Sequence, residues 1–131
     1  MTSVRRELST LPDGIAAQHS HLYGAIRGLR EVWESGEGWD GVSGQLDRLL
    51  RQVREHFEYE EILMQRGGYP RIEEHRQQHN GFLRRLEALR AECERRETEL
   101  MGVLIELLEA WFRSHEQHAD RPAIEYLGVE D

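Results

Sequence analysis

The sequence predicts an all-α fold, an up-down-up-down antiparallel four-helix bundle, formed by a single domain over residues 1–131. Three observations lead to this prediction. Apolar residues recur at spacings of three and four along four segments of the chain, which is the period of a helix with one buried face. Glycine or proline interrupts the chain between most of these segments, and no stretch alternates apolar and polar residues as a strand would. Four helices joined by short connections pack as an antiparallel bundle.

The first helix is predicted over residues 14–35, after the breaker Pro12-Asp13-Gly14. Its apolar stripe contains Ile15, His19, Leu22, Ile26 and Leu29. The following segment, residues 36–41, reads GEGWDG and is predicted as a loop because three of its residues are glycines.

The second helix is predicted over residues 43–66 and the third over residues 70–93. Gly67-Gly68 ends the second helix, and Tyr69-Pro70 opens the third, because proline suits a first helical turn. The stripe of the second helix contains Leu46, Leu49, Val53, His56, Phe57, Glu60 and Met64. That of the third contains Ile72, His75, His79, Leu86 and Leu89.

The fourth helix is predicted over residues 98–121. The break before it has neither glycine nor proline, and we place it near Arg95 to Thr98, with Thr98 as the N-cap. The helix is expected to end by Arg121, because Pro122 restrains the residue before it. Its stripe contains Leu100, Leu104, Leu107, Leu108, Trp111 and His115.

The charge of the chain excludes several classes of partner. Lys and Arg total 17 against 25 Asp and Glu, a formal net charge of -8, and the basic residues are interleaved with acidic ones. Nucleic acid and anionic membrane surfaces are therefore not expected partners. The longest apolar stretch, MGVLIELLEAWF, is interrupted by two glutamates and is too short to span a membrane. With no secretory signal pattern and one cysteine, Cys93, the sequence indicates a cytoplasmic protein, which we expect to be a monomer.

Polar residues interrupt the apolar stripe of every helix. Two helices carry pairs at i and i+4, His56 with Glu60 and His75 with His79, so both side chains of a pair can reach one buried point. A single such pair is commonly a solvated face, but here all four helices contribute. The converging set is His19, His56, Glu60, His75, His79, His115 and Asp120.

Burying these seven groups without partners would cost about 1–3 kcal/mol each, as much as the whole stability of a small domain, about 5–15 kcal/mol. They must therefore pair with one another or bind metal. Five imidazoles and two carboxylates suit two carboxylate-bridged metal ions. A single zinc ion would use about four ligands.

These residues resemble the hemerythrin family, and its bacterial single-domain members (bacteriohemerythrins) in particular. The family pattern is a histidine in the first helix, HxxxE in the second, HxxxH in the third and HxxxxD at the end of the fourth. The corresponding stretches are QHSHLYGAI, HFEYEEILMQRGGYP, HRQQH and HEQHAD, and they span about residues 15–121.

The resemblance implies a cofactor of two iron ions with an oxo or hydroxo bridge. His75, His79 and His115 would bind one iron, His19 and His56 the other, and Glu60 and Asp120 would bridge them. The iron with two histidines would keep an open position for dioxygen. The resemblance further implies that Leu22, Trp111 and Phe112 line the oxygen pocket.

The implied function is reversible dioxygen binding by a non-enzymatic carrier, store or supplier of O2, with an O2-consuming enzyme or a reductase as a conceivable partner. One alternative is a di-iron enzyme that reduces peroxide or nitric oxide, with Tyr23, Tyr59 and Cys93 as loosely placed proton or redox donors. Another is an oxygen or redox sensor acting through a separate partner.

The sequence departs from the family pattern near the site. Ala16 stands where an acidic residue is frequent, Glu116 where isoleucine is common and Phe112 where leucine is usual, and the usual N-terminal tryptophan is missing. These departures bear on the pocket lining and the oxygen affinity, not on the ligands.

Two histidines are predicted to be spare. His21 lies about 200° around the helix from His19 and should face outward or toward a neighbouring helix. In HEQHAD, periodicity admits both His115 and His118, and the family spacing selects His115 with Asp120. Positions five apart lie about 140° from each other on a regular helix. We therefore predict a π-type turn or an unravelled turn between His115 and Arg121.

Overall fold

A computed structural model of the protein describes residues 11–96 and 100–129. It contains α1 (Ile15–Glu34), α2 (Gly38–Gly67), α3 (Ile72–Arg96), α4 (Met101–His115), a π-helical turn (Glu116–Asp120) and a short α5 (Arg121–Leu127). The described residues include no strand. The predicted all-α four-helix bundle is confirmed. No helix among the described residues is long and apolar enough to cross a membrane.

The four long helices form a closed ring around one core. α1 packs against α2 and α4, and α3 packs against the same two helices. The interior is aliphatic and aromatic, and each large apolar side chain buried there contributes about 1.5–3 kcal/mol. The fully buried members of the core include Leu22, Ile26, Leu29, Leu46, Phe82, Leu86, Leu104 and Leu108. This packing holds the histidine-bearing faces of all four helices toward one another.

Helix α2 begins at Gly38, five residues before the predicted start. The prediction of a loop over residues 36–41 is therefore wrong from residue 38 onward. The turn needs positive φ only at Gly36 (85°) and Gly38 (75°). After it, Trp39 packs on the core and lies 5.5 Å from the guanidinium of Arg90, and Asp40 favours the helix N-terminus. These contacts outweigh the poor helix propensity of glycine.

Helix α2 ends at the predicted glycines. Gly68 adopts the left-handed conformation (φ 66°), and the Tyr69 N–H donates to the Met64 carbonyl at 2.9 Å, which closes the end of the helix. α3 then begins at Ile72 rather than residue 70 and runs to Arg96 rather than residue 93. The predicted cap Thr98 lies outside the described residues.

Two glycine-to-alanine variants are expected to shift stability in opposite directions. Gly68→Ala forces a side chain into the left-handed conformation and should lower the free energy of unfolding by about 1 kcal/mol. Gly81→Ala adds a Cβ with no atom within 4 Å in the middle of α3, and should raise it by about 0.5–1 kcal/mol. Urea denaturation of the metal-free protein measures both changes. Shifts of the same sign would contradict this account of the α2 terminus.

The chain continues beyond the predicted end of the fourth helix. The prediction that the helix stops by Arg121 is wrong, because α5 runs from Arg121 to Leu127. Pro122 lies in the first turn of α5, a position that tolerates proline. α5 packs on the end of α2, where Ala123 and Leu127 join a small cluster with Met64 and Tyr69. α5 thus continues directly from the turn that carries Asp120.

Candidate metal centre

The seven polar residues predicted from the stripes lie together in the core, and none is more than 6 % exposed. Their ligand atoms form two overlapping sets, each with its atoms within 4.8 Å of one another, and both sets include the two carboxylates. We name the histidines by these sets. The three-histidine group is His75, His79 and His115. The two-histidine group is His19 and His56.

The predicted distortion at the end of the fourth helix is confirmed as a π-helical turn over Glu116–Asp120. A π-turn hydrogen bonds from i to i+5, so residues five apart lie nearly in line along the helix. Asp120 is consequently buried and faces the same point as His115, with its Oδ1 at 3.1 Å from Nε2 of His115. Regular α-helix would turn the carboxylate away from the core.

Glu60 presents a different oxygen to each histidine group. Oε1 lies 3.2 Å from Nε2 of His79 and 3.4 Å from Nε2 of His75. Oε2 lies 3.0 Å from Nε2 of His56 and 3.5 Å from Nε2 of His19. A carboxylate placed this way can bind two metal ions, one through each oxygen.

The two oxygens of Asp120 are also directed to different histidine groups. Oδ1 lies 2.9 Å from Nε2 of His75 and 3.1 Å from Nε2 of His115. Oδ2 lies 3.1 Å from Nε2 of His19. Both carboxylates therefore stand between the two histidine groups.

The spacing within the three-histidine group fits ligands of one metal ion. Nε2 of His115 lies 3.1 Å from Nε2 of His75 and 3.1 Å from Nε2 of His79. Two nitrogens bound at right angles with bonds of about 2.1 Å stand about 3.0 Å apart. The distances from His115 to the other two histidines therefore match those that a common metal ion would impose.

Several atoms of the centre lie close to one another without forming aligned hydrogen bonds. Among the described residues these are His19 Nδ1, His56 Nε2, both Glu60 oxygens and Asp120 Oδ1. Buried polar groups are normally hydrogen-bonded, and an unsatisfied one costs about 1–3 kcal/mol. Four of these atoms, His56 Nε2, both Glu60 oxygens and Asp120 Oδ1, face the interior of the centre, where a shared cation would satisfy them. The fifth, His19 Nδ1, lies on the outer side of its ring, near Glu116. The chemistry and placement of this donor set therefore fit metal ions.

The charges of the centre are also consistent with a site for cations. Burial lowers the pKa of His19 and of His75, but the hydrogen bonds that these imidazoles donate to Asp120 and Glu60 outweigh it and raise the two pKa values to about 10 and about 9, from 6.5. Burial raises the pKa of Asp120, but its histidine partners lower it to about 2. The pKa of Glu60 also lies well below its usual range. The two carboxylates are charged, and in the metal-free protein protonated His19 and His75 supply the positive charge that a bound cation would otherwise supply.

Three histidines are held from behind through Nδ1. His56 donates to Gln18 Oε1 at 2.8 Å, and His79 donates to Glu61 Oε2 at 2.7 Å. Nδ1 of His19 lies 3.0 Å from Oε2 of Glu116. Partners of this kind fix the ring and leave Nε2 as the ligand atom.

Sequence reasoning did not assign these outer partners. The only signal for Gln18 in the sequence is its position directly before His19, and its burial, to 3 % exposure, is a property of the structure. Glu61 stands beside Glu60 in HFEYEE, and Glu116 follows His115. Their roles depend on contacts between helices, which spacing along one helix does not reveal.

Aromatic rings surround the histidines. Phe57 stacks on His79 with ring centroids 3.8 Å apart, and Trp111 stacks on His115 at 4.2 Å. Phe112 lies 6.4 Å from His56. Of the three residues expected to line an oxygen pocket, Trp111 therefore contacts the three-histidine group and Phe112 lies beside the two-histidine group. Leu22 is buried in the core on the turn after His19.

The two spare histidines, His21 and His118, are exposed. The N–H of His118 Nδ1 donates to the Ser114 carbonyl at 3.0 Å. His118 also lines a cleft of about 380 Å³ whose wall includes His75 and His115. The cleft brings solvent next to the three-histidine group.

Comparison with known proteins gives one family. The family described as Hemerythrin HHE cation binding domain matches residues 10–124 of the 131-residue chain. Neither a curated protein nor a solved structure matches the chain. The matched residues contain all seven members of the buried cluster, which by its composition is able to bind iron. The chain belongs to the hemerythrin family.

Proposed function

We propose that this protein binds dioxygen reversibly at a non-haem, carboxylate-bridged di-iron centre, as a carrier, store or supplier of O2. One observation carries the proposal. Glu60 and Asp120 each direct one oxygen to the three-histidine group and the other to the two-histidine group. Two bridging carboxylates between unequal sets of histidines suit a pair of ions with different numbers of ligands.

In this proposal His75, His79 and His115 hold one iron and His19 and His56 hold the other. With both carboxylates shared, the first ion would have five ligands from the chain and the second would have four, so the second would keep more room for a further ligand. An open position of this kind marks a metal site that binds a substrate or ligand. When bound, the ferrous pair supplies the two electrons that reversible dioxygen binding requires.

The chain's own contribution is to fix the ligands and exclude water. His56 and His79 are fully buried, and Gln18 and Glu61 hold their rings from behind. Phe112 closes the side of the two-histidine group. An apolar wall limits entry of water and protons to the open position, which favours release of unchanged dioxygen over its reduction.

The direct test is a visible spectrum of iron-loaded protein, recorded without oxygen, in air and after oxygen is removed again. We expect about two iron ions per chain and a charge-transfer band that appears in air, fades on deoxygenation and returns. HEQHAD supplies a matched pair of variants, since His115 is buried and His118 exposed. His115→Ala should lose the band and His118→Ala should keep it. An iron-loaded wild type that never forms the band would refute the proposal.

One observation favours an enzyme that reduces peroxide or nitric oxide. The Tyr23 hydroxyl is hydrogen-bonded to Glu116, which contacts Nδ1 of His19, so a phenol is linked through two polar contacts to the two-histidine group. The other two candidates are less suited, since the Tyr59 hydroxyl accepts the Gly14 N–H and Cys93 is buried. Steady-state turnover of peroxide or NO that is lost in His19→Ala would favour the enzyme. Equal rates in the variant would remove it.

A further inference from the structure

Three residues form a chain of polar contacts between α1 and the π-turn. The Tyr23 hydroxyl donates to Oε1 of Glu116 at 2.8 Å. The other oxygen of Glu116, Oε2, lies 3.0 Å from Nδ1 of His19. Tyr23 follows His19 by four residues on α1, so both side chains lie on the same face of that helix. One carboxylate thus links the phenol to the back of a proposed iron ligand.

The contact differs in charge from those behind the other two histidines. Gln18, behind His56, is a neutral amide. Glu61, behind His79, has its other oxygen 3.6 Å from the guanidinium of Arg76, which offsets its negative charge. Glu116 instead shares its charge with a neutral phenol. His19, like His79, therefore has a carboxylate behind its ring, and the hydrogen-bond donor to that carboxylate is a neutral phenol.

Tyr23 holds the carboxylate in place. Its ring packs edge-on against Phe112 at 6.5 Å, and Phe112 is buried in the core. Burial and the hydrogen bond to Glu116 raise the pKa of Tyr23, so the phenol stays protonated and remains a donor. Glu116 is 29 % exposed, and without this hydrogen bond its side chain would be free to turn toward water.

The His19 ring lies close to the Glu116 carboxylate but does not form an aligned hydrogen bond with it. Nδ1 and Oε2 are at hydrogen-bonding distance, although the N–H is not aligned with the oxygen. Rotation about χ2 of histidine is soft. Rotation about this angle would turn the Nδ1–H toward the carboxylate.

We propose that Tyr23 and Glu116 are positioning residues that orient His19 and strengthen it as a ligand, and so favour the oxidised state of the iron in the two-histidine position. This inference rests on the proposed function, because it assumes that His19 binds metal. Its physical basis is general: an anionic acceptor on Nδ1 increases the electron density at Nε2, and electron-rich ligands stabilise the more highly charged ion.

The first test uses Co²⁺ alone, titrated into metal-free protein and followed by absorbance. Two binding steps are expected, and the weaker belongs to the position with fewer histidines. Glu116→Gln keeps the shape of the side chain and removes its charge, and should weaken this step about 10- to 100-fold while sparing the tighter step. Tyr23→Phe should cause a smaller loss, and it should add less in the Glu116→Gln background than in wild type, because Tyr23 acts through Glu116.

Matched controls come from α5, where the neighbours Glu125 and Tyr126 are both exposed. Glu125→Gln and Tyr126→Phe should leave both binding steps unchanged. Equal weakening of both steps by Glu116→Gln, no weakening, or full additivity of Tyr23→Phe and Glu116→Gln would overturn the proposal.

The second test is the midpoint potential of the iron-loaded protein, which a purely structural role would not shift in a fixed direction. Glu116→Gln should raise the potential, and Glu125→Gln should leave it unchanged. An unchanged or lower potential in Glu116→Gln would overturn the proposal. The Co²⁺ titration does not depend on oxygen. A protein with no oxygen band but a site-selective loss in Glu116→Gln would therefore refute the proposed function alone.

Discussion

Glu60→Gln is expected to abolish binding of the metal pair and, with it, any oxygen-dependent absorption of the iron-loaded protein. Glu60 is the residue that lies nearest to both histidine groups, with four imidazole nitrogens between 3.0 and 3.5 Å from its two oxygens. Glutamine has almost the same shape but one oxygen. It can serve one group only, and its NH₂ would face ligand nitrogens of the other.

The measurement is metal content after loading and desalting, together with titration of metal-free protein. We expect the variant to retain at most about one ion per chain, held by the three-histidine group. Glu61→Gln is the matched control, because Glu61 is the next residue and contacts Nδ1 of His79 from outside the centre. It should keep both ions with affinity lowered about 10- to 100-fold. Normal loading of two ions in Glu60→Gln would exclude Glu60 as a bridge.

Removing the metal is expected to destabilise the protein and to reverse the way its stability depends on pH. A ligand that binds only the folded state at a thousand times its dissociation constant contributes about 4 kcal/mol. For a domain of this size each kcal/mol corresponds to about 3–5 °C. The midpoint of thermal unfolding should therefore fall by roughly 12–20 °C when iron is removed.

The pH dependence of the metal-free protein follows from the histidines. The pKa values of His19 and His75 are raised from 6.5 to about 10 and about 9, and that of His79 is also raised. A raised pKa stabilises the folded state fully below 6.5, and this contribution is lost as the pH rises toward 9 and 10. Burial lowers the pKa of His115, which acts in the opposite sense but is one group against three.

The two carboxylates determine how the stability of the metal-free protein falls in acid. The pKa of Asp120 is lowered from 3.8 to about 2, so its contribution is present above 3.8 and is lost as the pH falls toward 2. Glu60 acts in the same direction. The metal-free protein should consequently be most stable in mildly acid solution and lose stability as the pH rises above 6.5.

Metal binding requires deprotonated imidazoles, so stabilisation by metal should increase with pH. Thermal unfolding of metal-free and Fe²⁺-loaded protein, compared without oxygen at about pH 6 and about pH 8.5, should show the difference between the two forms widening. His21→Ala removes an exposed histidine and should leave this pattern unchanged. A metal-free protein that becomes more stable at the higher pH would show that these histidines are not the proton-binding groups.

The prediction of the fold from sequence succeeded because helix period and breakers are local properties. Apolar spacing identified four helices, and Gly67-Gly68 was identified as the end of α2. It failed where long-range contacts outweighed local preference. Trp39 and the Arg90 guanidinium extend α2 through a glycine-rich segment, and packing of α5 on α2 carries the chain past Pro122.

The π-turn was predicted partly from local spacing and partly from the family resemblance. The spacing of His115 and Asp120, together with the resemblance, required a distorted turn, and the structure contains one. Periodicity alone did not distinguish His115 from His118. The family spacing distinguished them, and their different burial agrees with that choice.

The sequence by itself determined which side chains would face the core, because position along a helix fixes the face on which a residue lies. That sufficed to bring His19, the His56–Glu60 pair and the His75–His79 pair into one buried cluster, whereas His115 and Asp120 were assigned to it through the family spacing. Only the tertiary structure decided which atom of each group contacts which neighbour. The separate placement of the Glu60 and Asp120 oxygens, the support of His56 by Gln18, and the Tyr23–Glu116–His19 contacts depend on how neighbouring helices are rotated and shifted against one another. That arrangement is set by side-chain packing over the whole core, which no local spacing records.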